Sequence, residues 1–274
     1  GVAEAHAFAD LLENERRQPD PASLRLIELI CSPDPDSPTN NESNESGGEP
    51  RLWAELVGRE REFGTIVRAW DNAKEGSGSL LAIVAPAGMG KSRLLNDVAN
   101  RFRTIAARVV QLRANPGDRR IAYTFGAAHA GRLCDLPGAV AIAPQCASTL
   151  VALNPSLSSR FNANPESVGE RDVLRRRTIS LTELLTAVTH EHPIVLLIDD
   201  LHWSDDESLT LLASLSGIVR ELPVLMVTAT RPTPRVSVPE TAGIEMTLPP
   251  LTEEHIAAIV NGMASLPDAA WSSR

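Results

Sequence analysis

Leu80-Leu81-Ala82-Ile83-Val84 runs straight into Ala85-Pro86-Ala87-Gly88-Met89-Gly90-Lys91-Ser92, and this junction decides the reading of the chain. An unbroken apolar run of this length predicts a strand buried on both faces. Beyond the glycines, Leu94, Leu95, Val98 and Phe102 recur at helical spacing and predict a helix over Lys91–Arg103. A glycine-bearing loop therefore joins the end of a buried strand to the start of a helix.

That loop fits the pattern G-x-x-x-x-G-K-S/T of the P-loop, with Ala85 where the first glycine would stand. Gly88 and Gly90 let the backbone turn its N–H groups inward, into a nest for phosphate oxygens. The helix N-terminus adds its partial positive charge at the same place. Lys91 is expected to reach the β- and γ-phosphates, as the one side-chain charge facing them. Ser92 is expected to offer its hydroxyl to Mg2+. Ala87, Gly88, Met89, Gly90 and Arg93 complete the expected nucleotide contacts. The ligand is read as ATP or ADP with Mg2+.

Outward from the loop, apolar runs alternate with helical periodicity. Runs at Leu80–Val84, Arg108–Leu112, Ile194–Ile198, Val224–Ala229 and Ile244–Leu248 predict strands. Helices are expected near Arg59, over Lys91–Arg103, Asp172–His190 and Ser208–Arg220, and from Glu253. Alternation of this kind predicts an α/β fold with a mainly parallel sheet. The stretch 113–168 reads least clearly and suggests short helices.

Ile194-Val195-Leu196-Leu197-Ile198-Asp199-Asp200 is a buried strand ending in two acids, the Walker-B arrangement. Asp199 is expected to hold Mg2+ and Asp200 to act as general base on the attacking water. His202 and Asp205 are next in line for that role. Arg231, at the end of Val227-Thr228-Ala229-Thr230, is placed to sense the γ-phosphate. The remaining histidines sit at no coordinating spacing. Trp203 reads as a packing residue.

Four motifs now stand in order: Leu56-Val57-Gly58-Arg59-Glu60-Arg61-Glu62, the P-loop, the Walker-B strand continuing as Leu201-His202-Trp203-Ser204-Asp205, and Thr230-Arg231. Together they resemble the STAND class of signal-transduction ATPases, in its bacterial regulator branch. The resemblance covers residues 52–260. It implies a three-layer P-loop NTPase fold of the additional-strand type, strand order 5-1-4-3-2. It also implies nucleotide contacts from Val57, Gly58 and Arg59. Leu248-Pro249-Pro250-Leu251 and the helix after it resemble the start of a helical lid.

Residues 3–31 read as two helices broken at Gln18-Pro19-Asp20-Pro21. Leu11-Leu12-Glu13, Leu24, Ile27 and Ile30 resemble the close of the helical activator domain of Streptomyces antibiotic regulatory proteins. Residues 32–50 contain no large apolar side chain and read as a flexible linker. The expected organisation is therefore a helical fragment at 1–31, the linker at 32–50, the ATPase domain at 51–248 and an incomplete lid at 249–274.

Net charge is −9. Sequence-independent DNA affinity comes largely from Lys and Arg, so any DNA contact is expected from domains absent from this chain. The three cysteines show no CxxC spacing and fit a reducing cytoplasm. No apolar run approaches the ~20 residues that span a bilayer. The expected function is a slowly hydrolysing ATP switch in a multidomain transcriptional regulator. A fragment of this kind is expected to be monomeric, the full-length protein an ATP-dependent homo-oligomer. The rival readings are an AAA+-type or replication-initiator ATPase, and a module that holds ADP for structure only.

Lys91→Ala is predicted to abolish measurable ATP affinity by calorimetry while far-UV circular dichroism stays unchanged. Unaltered binding would remove the P-loop reading.

Overall fold

The computed structural model describes residues 56–165, 172–234, 236 and 243–264. All of them lie in the unit Arg51–Arg274, one of two into which the chain divides. The helices and linker expected within residues 1–50 lie outside the described residues, as does the lid sequence beyond 264.

The elements run α1 (Glu60–Lys74), β1 (Ser79–Val84), α2 (Lys91–Thr104), β2 (Arg108–Arg113), α3 (Thr124–Cys134), α4 (Pro144–Leu153) and α5 (Ser158–Phe161). They continue as α6 (Val173–Glu191), β3 (Ile194–Asp199), α7 (Asp206–Val219), β4 (Val224–Thr230), β5 (Gly243–Thr247) and α8 (Glu253–Ala264). The five strands pair entirely in parallel, in the order β2-β3-β4-β1-β5. Read from the other edge, this is the order 5-1-4-3-2 that the resemblance implies.

Central strands must be apolar on both faces, because helices cover both. All seven residues of β4 are buried, as are Ile194–Ile198 of β3. Their side chains divide by parity. Ile194, Leu196, Ile198, Val224 and Met226 join one core with Leu133, Leu150, Leu181, Leu184, Leu211 and Leu215, from α3, α4, α6 and α7. Val195, Leu197, Leu225, Val227 and Ala229 join the other, with Ile66, Trp70, Leu94, Val98 and Phe102 from α1 and α2. The result is a three-layer α/β sandwich. The edge strands β2 and β5 carry the exposed positions that edges tolerate.

The poorly legible stretch after β2 folds as α3, α4 and α5, joined by short 3-10 turns. Pro144 starts α4, where its missing N–H costs nothing. Both α3 and α4 pack on α6, so this segment belongs to the helical layer. Among the described residues no helix is long and apolar enough to cross a membrane.

His129, on the buried face of α3, is 3 % exposed, and its desolvation pushes the imidazole down to about 4. The unfolded chain takes up a proton near pH 6.5 that the folded chain refuses. Stability is therefore unaffected by this group above pH 6.5 and falls as the pH drops from 6.5 towards 4. His129→Leu is predicted to shrink the loss of urea stability between about pH 7 and about pH 5. An unchanged loss would show that the imidazole is not the titrating group.

Candidate functional site

The loop after β1 is fastened before it turns. The Ala85 N–H donates to the Thr230 carbonyl at 3.2 Å, which locks the loop to the end of β4. Positive φ values in the loop occur at Gly88 (78°) and Gly90 (86°). Ala85 has no positive φ, so the alanine in place of the motif's first glycine carries no strain. Gly90 caps α2 in the left-handed conformation, and the first turn of α2 contains no acid. The helix thus presents its uncapped N–H groups to an incoming anion.

A polar pocket of about 310 Å³ opens over these N–H groups. Ala87, Gly88, Gly90, Lys91 and Ser92 form its floor. Arg93, Arg113, Arg231 and Asp200 stand around it. Lys91, Arg93 and Arg231 are expected here from the sequence; the structure adds a third arginine, Arg113. Lys91 Nζ folds back onto the Ala85 and Pro86 carbonyls, at 2.8 Å each. Burial, and then the positive charge of Arg231, lower its pKa, while Asp200 and Asp199 oppose the shift.

A second cleft, of about 480 Å³, adjoins the same loop. Gly88, Gly90 and Arg93 border both spaces, and Met89 lines the second. Leu56 and Val57 form one wall; Pro250, Leu251, Ile256 and Ile259 form the other. The apolar walls suit a flat hydrophobic ring system, while the polar pocket suits phosphates. Arg59 is 4 % exposed and spans both walls, its Nη2 donating to Met89 O at 3.1 Å and Pro249 O at 2.8 Å. Its guanidinium therefore works first as a strut between the phosphate loop and the turn before α8. Gly58 lies behind it at φ 73°, and a Cβ there would fall 2.5 Å from His255 Nδ1. The Gly58 N–H donates to Glu60 Oε1 at 2.9 Å. Backbone hydrogen bonds from Glu60 and Gly58 lower the Glu60 pKa.

At the end of β3, Asp199 Oδ1 accepts the Asp200 N–H at 2.9 Å. Asp200 takes a left-handed φ of 53°. Its Oδ2 accepts from Arg113, at 3.0 Å from Nε and 2.9 Å from Nη2. Arg113 is two-thirds exposed, and such pairs contribute up to about 1 kcal/mol. A phosphate can therefore compete for this guanidinium at little cost. His202 lies beside Trp203, ring centroids 4.9 Å apart, and burial lowers its pKa most. Trp203 packs on the helical core, as its reading requires.

Asp205, the fallback base of the sequence reading, is 1 % exposed. It accepts four hydrogen bonds, from the N–H groups of Tyr123, Phe125 and Ser208 and from Ser208 Oγ. A carboxylate so occupied has no contact left for water, so that role is withdrawn.

Ser92 and Asp199 supply a hydroxyl and a carboxylate, hard oxygen donors that suit Mg2+. Among the described residues no cluster of His, Cys, Asp or Glu forms a metal cage. That donor set fits a cation held by one or two protein oxygens and by phosphates.

Three residues escape the sequence reading. Arg113 follows the last apolar residue of β2, and only the register Arg113↔Asp199 reveals its use. Asp205 enters that reading only as a spare base, and its cap and tertiary donors appear only in the structure. His255 offers no spacing signal at all.

Residues 55–227 match the family described as AAA ATPase domain. The chain belongs to that family. An uncharacterised protein of Rhizobium meliloti (strain 1021) is 30 % identical over 198 residues, 66 % of this chain and 19 % of that one. The chain thus spans about a fifth of that curated relative. Among solved structures, the Aeropyrum pernix ORC1 protein in complex with DNA is 19 % identical, with 78 % of this chain and 50 % of that chain covered and a TM-score of 0.44. A Pyrococcus horikoshii STAND protein with a tetratricopeptide repeat sensor is 15 % identical, with 81 % and 28 % covered and a TM-score of 0.45. A point variant of Thermotoga maritima RuvB is 18 % identical, with 78 % and 54 % covered and a TM-score of 0.42. Nucleotide binding follows from membership of an ATPase domain family.

In this ATPase domain, Ala85→Gly restores the motif's first glycine yet is predicted to leave nucleotide affinity unchanged by calorimetry. It should lower urea stability by about 0.5–1 kcal/mol, because a glycine gains freedom in the unfolded chain. A clear gain in affinity would show that the alanine compromises the loop.

Proposed function

We propose that this domain binds ATP with Mg2+ in the cytoplasm and hydrolyses it slowly, as a switch within a multidomain transcriptional regulator. One observation carries the reading: an apolar cleft and a cationic pocket adjoin at a single phosphate-binding loop, both bordered by Gly88, Gly90 and Arg93. The base would lie between Val57 and the lid residues Pro250 and Leu251. The phosphates would cross the backbone of Ala87–Ser92, with Lys91, Arg93 and Arg231 balancing their charge. Val57 and Arg59 line the cleft, and Gly58 between them packs against His255. Mg2+, held by Ser92 and Asp199, would neutralise charge on the β- and γ-phosphates.

Asp200 would accept a proton from the attacking water. It first has to leave Arg113, which occupies Oδ2. A γ-phosphate drawing Arg113 away would release the carboxylate, so base and phosphate sensor are linked. The pair also fits slow turnover, because Asp200 is occupied by default. Regulation of transcription is supported by the STAND-type motifs, and the net charge of −9 assigns DNA contact to other domains.

The test begins by identifying nucleotide retained by the purified protein and following its hydrolysis. Asp200→Asn should keep ATP affinity within about twofold and slow hydrolysis by about 100-fold or more, the usual worth of a general base. Hydrolysis at the wild-type rate would remove Asp200 from the chemistry. Steady fast turnover with ATP-driven assembly would favour an AAA+ machine over a switch.

A further inference from the structure

Asp205 is the N-cap of α7, and that duty needs only the Ser208 N–H, which lies 2.8 Å from Oδ1. The carboxylate does more. Tyr123 N–H donates to Oδ1 at 2.7 Å, and Phe125 N–H and Ser208 Oγ donate to Oδ2 at 3.2 and 2.7 Å. Ser208 Oγ in turn accepts the Gly126 N–H at 2.8 Å. The first turn of α3 is thus capped by residues some 80 positions further along the chain.

Tyr123 adopts a left-handed φ of 62°, unusual for an aromatic residue. Two contacts hold it there: the Asp205 carboxylate on its N–H, and the Arg177 guanidinium of α6 3.7 Å from its ring centroid. On the other side of Asp205 the chain has no slack. Trp203 N–H donates to Asp200 O at 2.9 Å, and Ser204 N–H to Leu201 O at 3.0 Å, closing a single 3-10 turn. Asp200 itself sits in the left-handed region, so its carboxylate direction depends on where that turn is pinned.

We infer that Asp205 is a positioning residue for the Asp200 carboxylate, acting through the turn Leu201–Trp203 and fixing it to the start of α3. The inference rests on the proposed role of Asp200 as base. It also gives α3 a use: whatever shifts its N-terminus shifts the base.

Asp205→Asn keeps shape but sets an amide against the Phe125 N–H. Under conditions where it is folded, its ATP affinity should stay near wild type while kcat falls at least about tenfold, as misplaced catalytic groups do. Leu150→Ala in α4, a buried change away from the site, should lower stability without lowering kcat per folded molecule. The double variant Asp200→Asn/Asp205→Asn should hydrolyse no more slowly than Asp200→Asn alone. A wild-type kcat in Asp205→Asn, or an independent further loss in the double variant, would overturn the inference. Slow Asp200→Asn with normal Asp205→Asn defeats this inference alone; normal Asp200→Asn defeats the base assignment and this inference with it. Should Asp205→Asn fail to fold, Ser208→Ala keeps the three backbone donors, and it must show a smaller fall in kcat at unchanged affinity. An unaltered kcat there also overturns the proposal.

Discussion

Because β1, β4 and β3 pair in parallel, Val84, Thr230 and Asp199 all end on one edge of the sheet. The polar pocket of the candidate site hangs from that edge. The phosphate loop leaves β1, Arg231 follows β4, the two acids close β3, and Arg113 closes β2. In open parallel sheets this is where ligands bind, because loops diverge there and leave a crevice. The register has chemical content. Arg113 stands opposite Asp199, so a guanidinium meets the β3 carboxylates without any loop having to travel.

The charges at this edge are arranged for a ligand more negative than the protein's own acids. Lys91, Arg93, Arg113 and Arg231 gather there with Asp199 and Asp200. Each cation named in a contact has an internal partner: Lys91 on loop carbonyls, Arg93 on Asp97, Arg113 on Asp200. The two ion pairs are partly exposed and cheap to break. Phosphates can take over these cations without leaving a buried charge stranded. On the proposed mechanism the exchange is informative, because release of Arg113 is what frees Asp200.

The strands were legible to within a residue at most ends, since β3 and β4 are apolar without interruption and strands buried on both faces have no other composition. The phosphate loop was legible because its chemistry demands particular residues at fixed spacing. What escaped was tertiary. Arg113 lay one residue past the predicted end of β2, and only neighbouring strands show what it faces. Asp205 looked like a spare acid because its partners Tyr123 and Phe125 lie far back in the chain. The segment carrying them was the least readable because α3 and α4 lean on other helices and show weak periodicity of their own. Residues such as Ile121 and Val140 are apolar yet exposed, which blurs any pattern further.

The segment from Pro249 into α8 raises the remaining physical question, which is how binding could become a change of shape on the proposed reading. A ligand shifts an equilibrium only by its difference in affinity for the two states. Here one wall of the apolar cleft is α8 and the turn before it: Pro250, Leu251, Ile256 and Ile259 face Leu56 and Val57 across it. A base filling the cleft would touch both walls only while α8 stays down. Arg59 already ties those walls through Met89 O and Pro249 O, and Gly58 leaves room for the His255 ring. Arg59 and His255 thus hold the two walls together through the protein's own contacts. On the proposed reading a base in the cleft would favour that contact whatever its phosphates, so discrimination between ATP and ADP would arise at Arg113, Arg231 and Asp200.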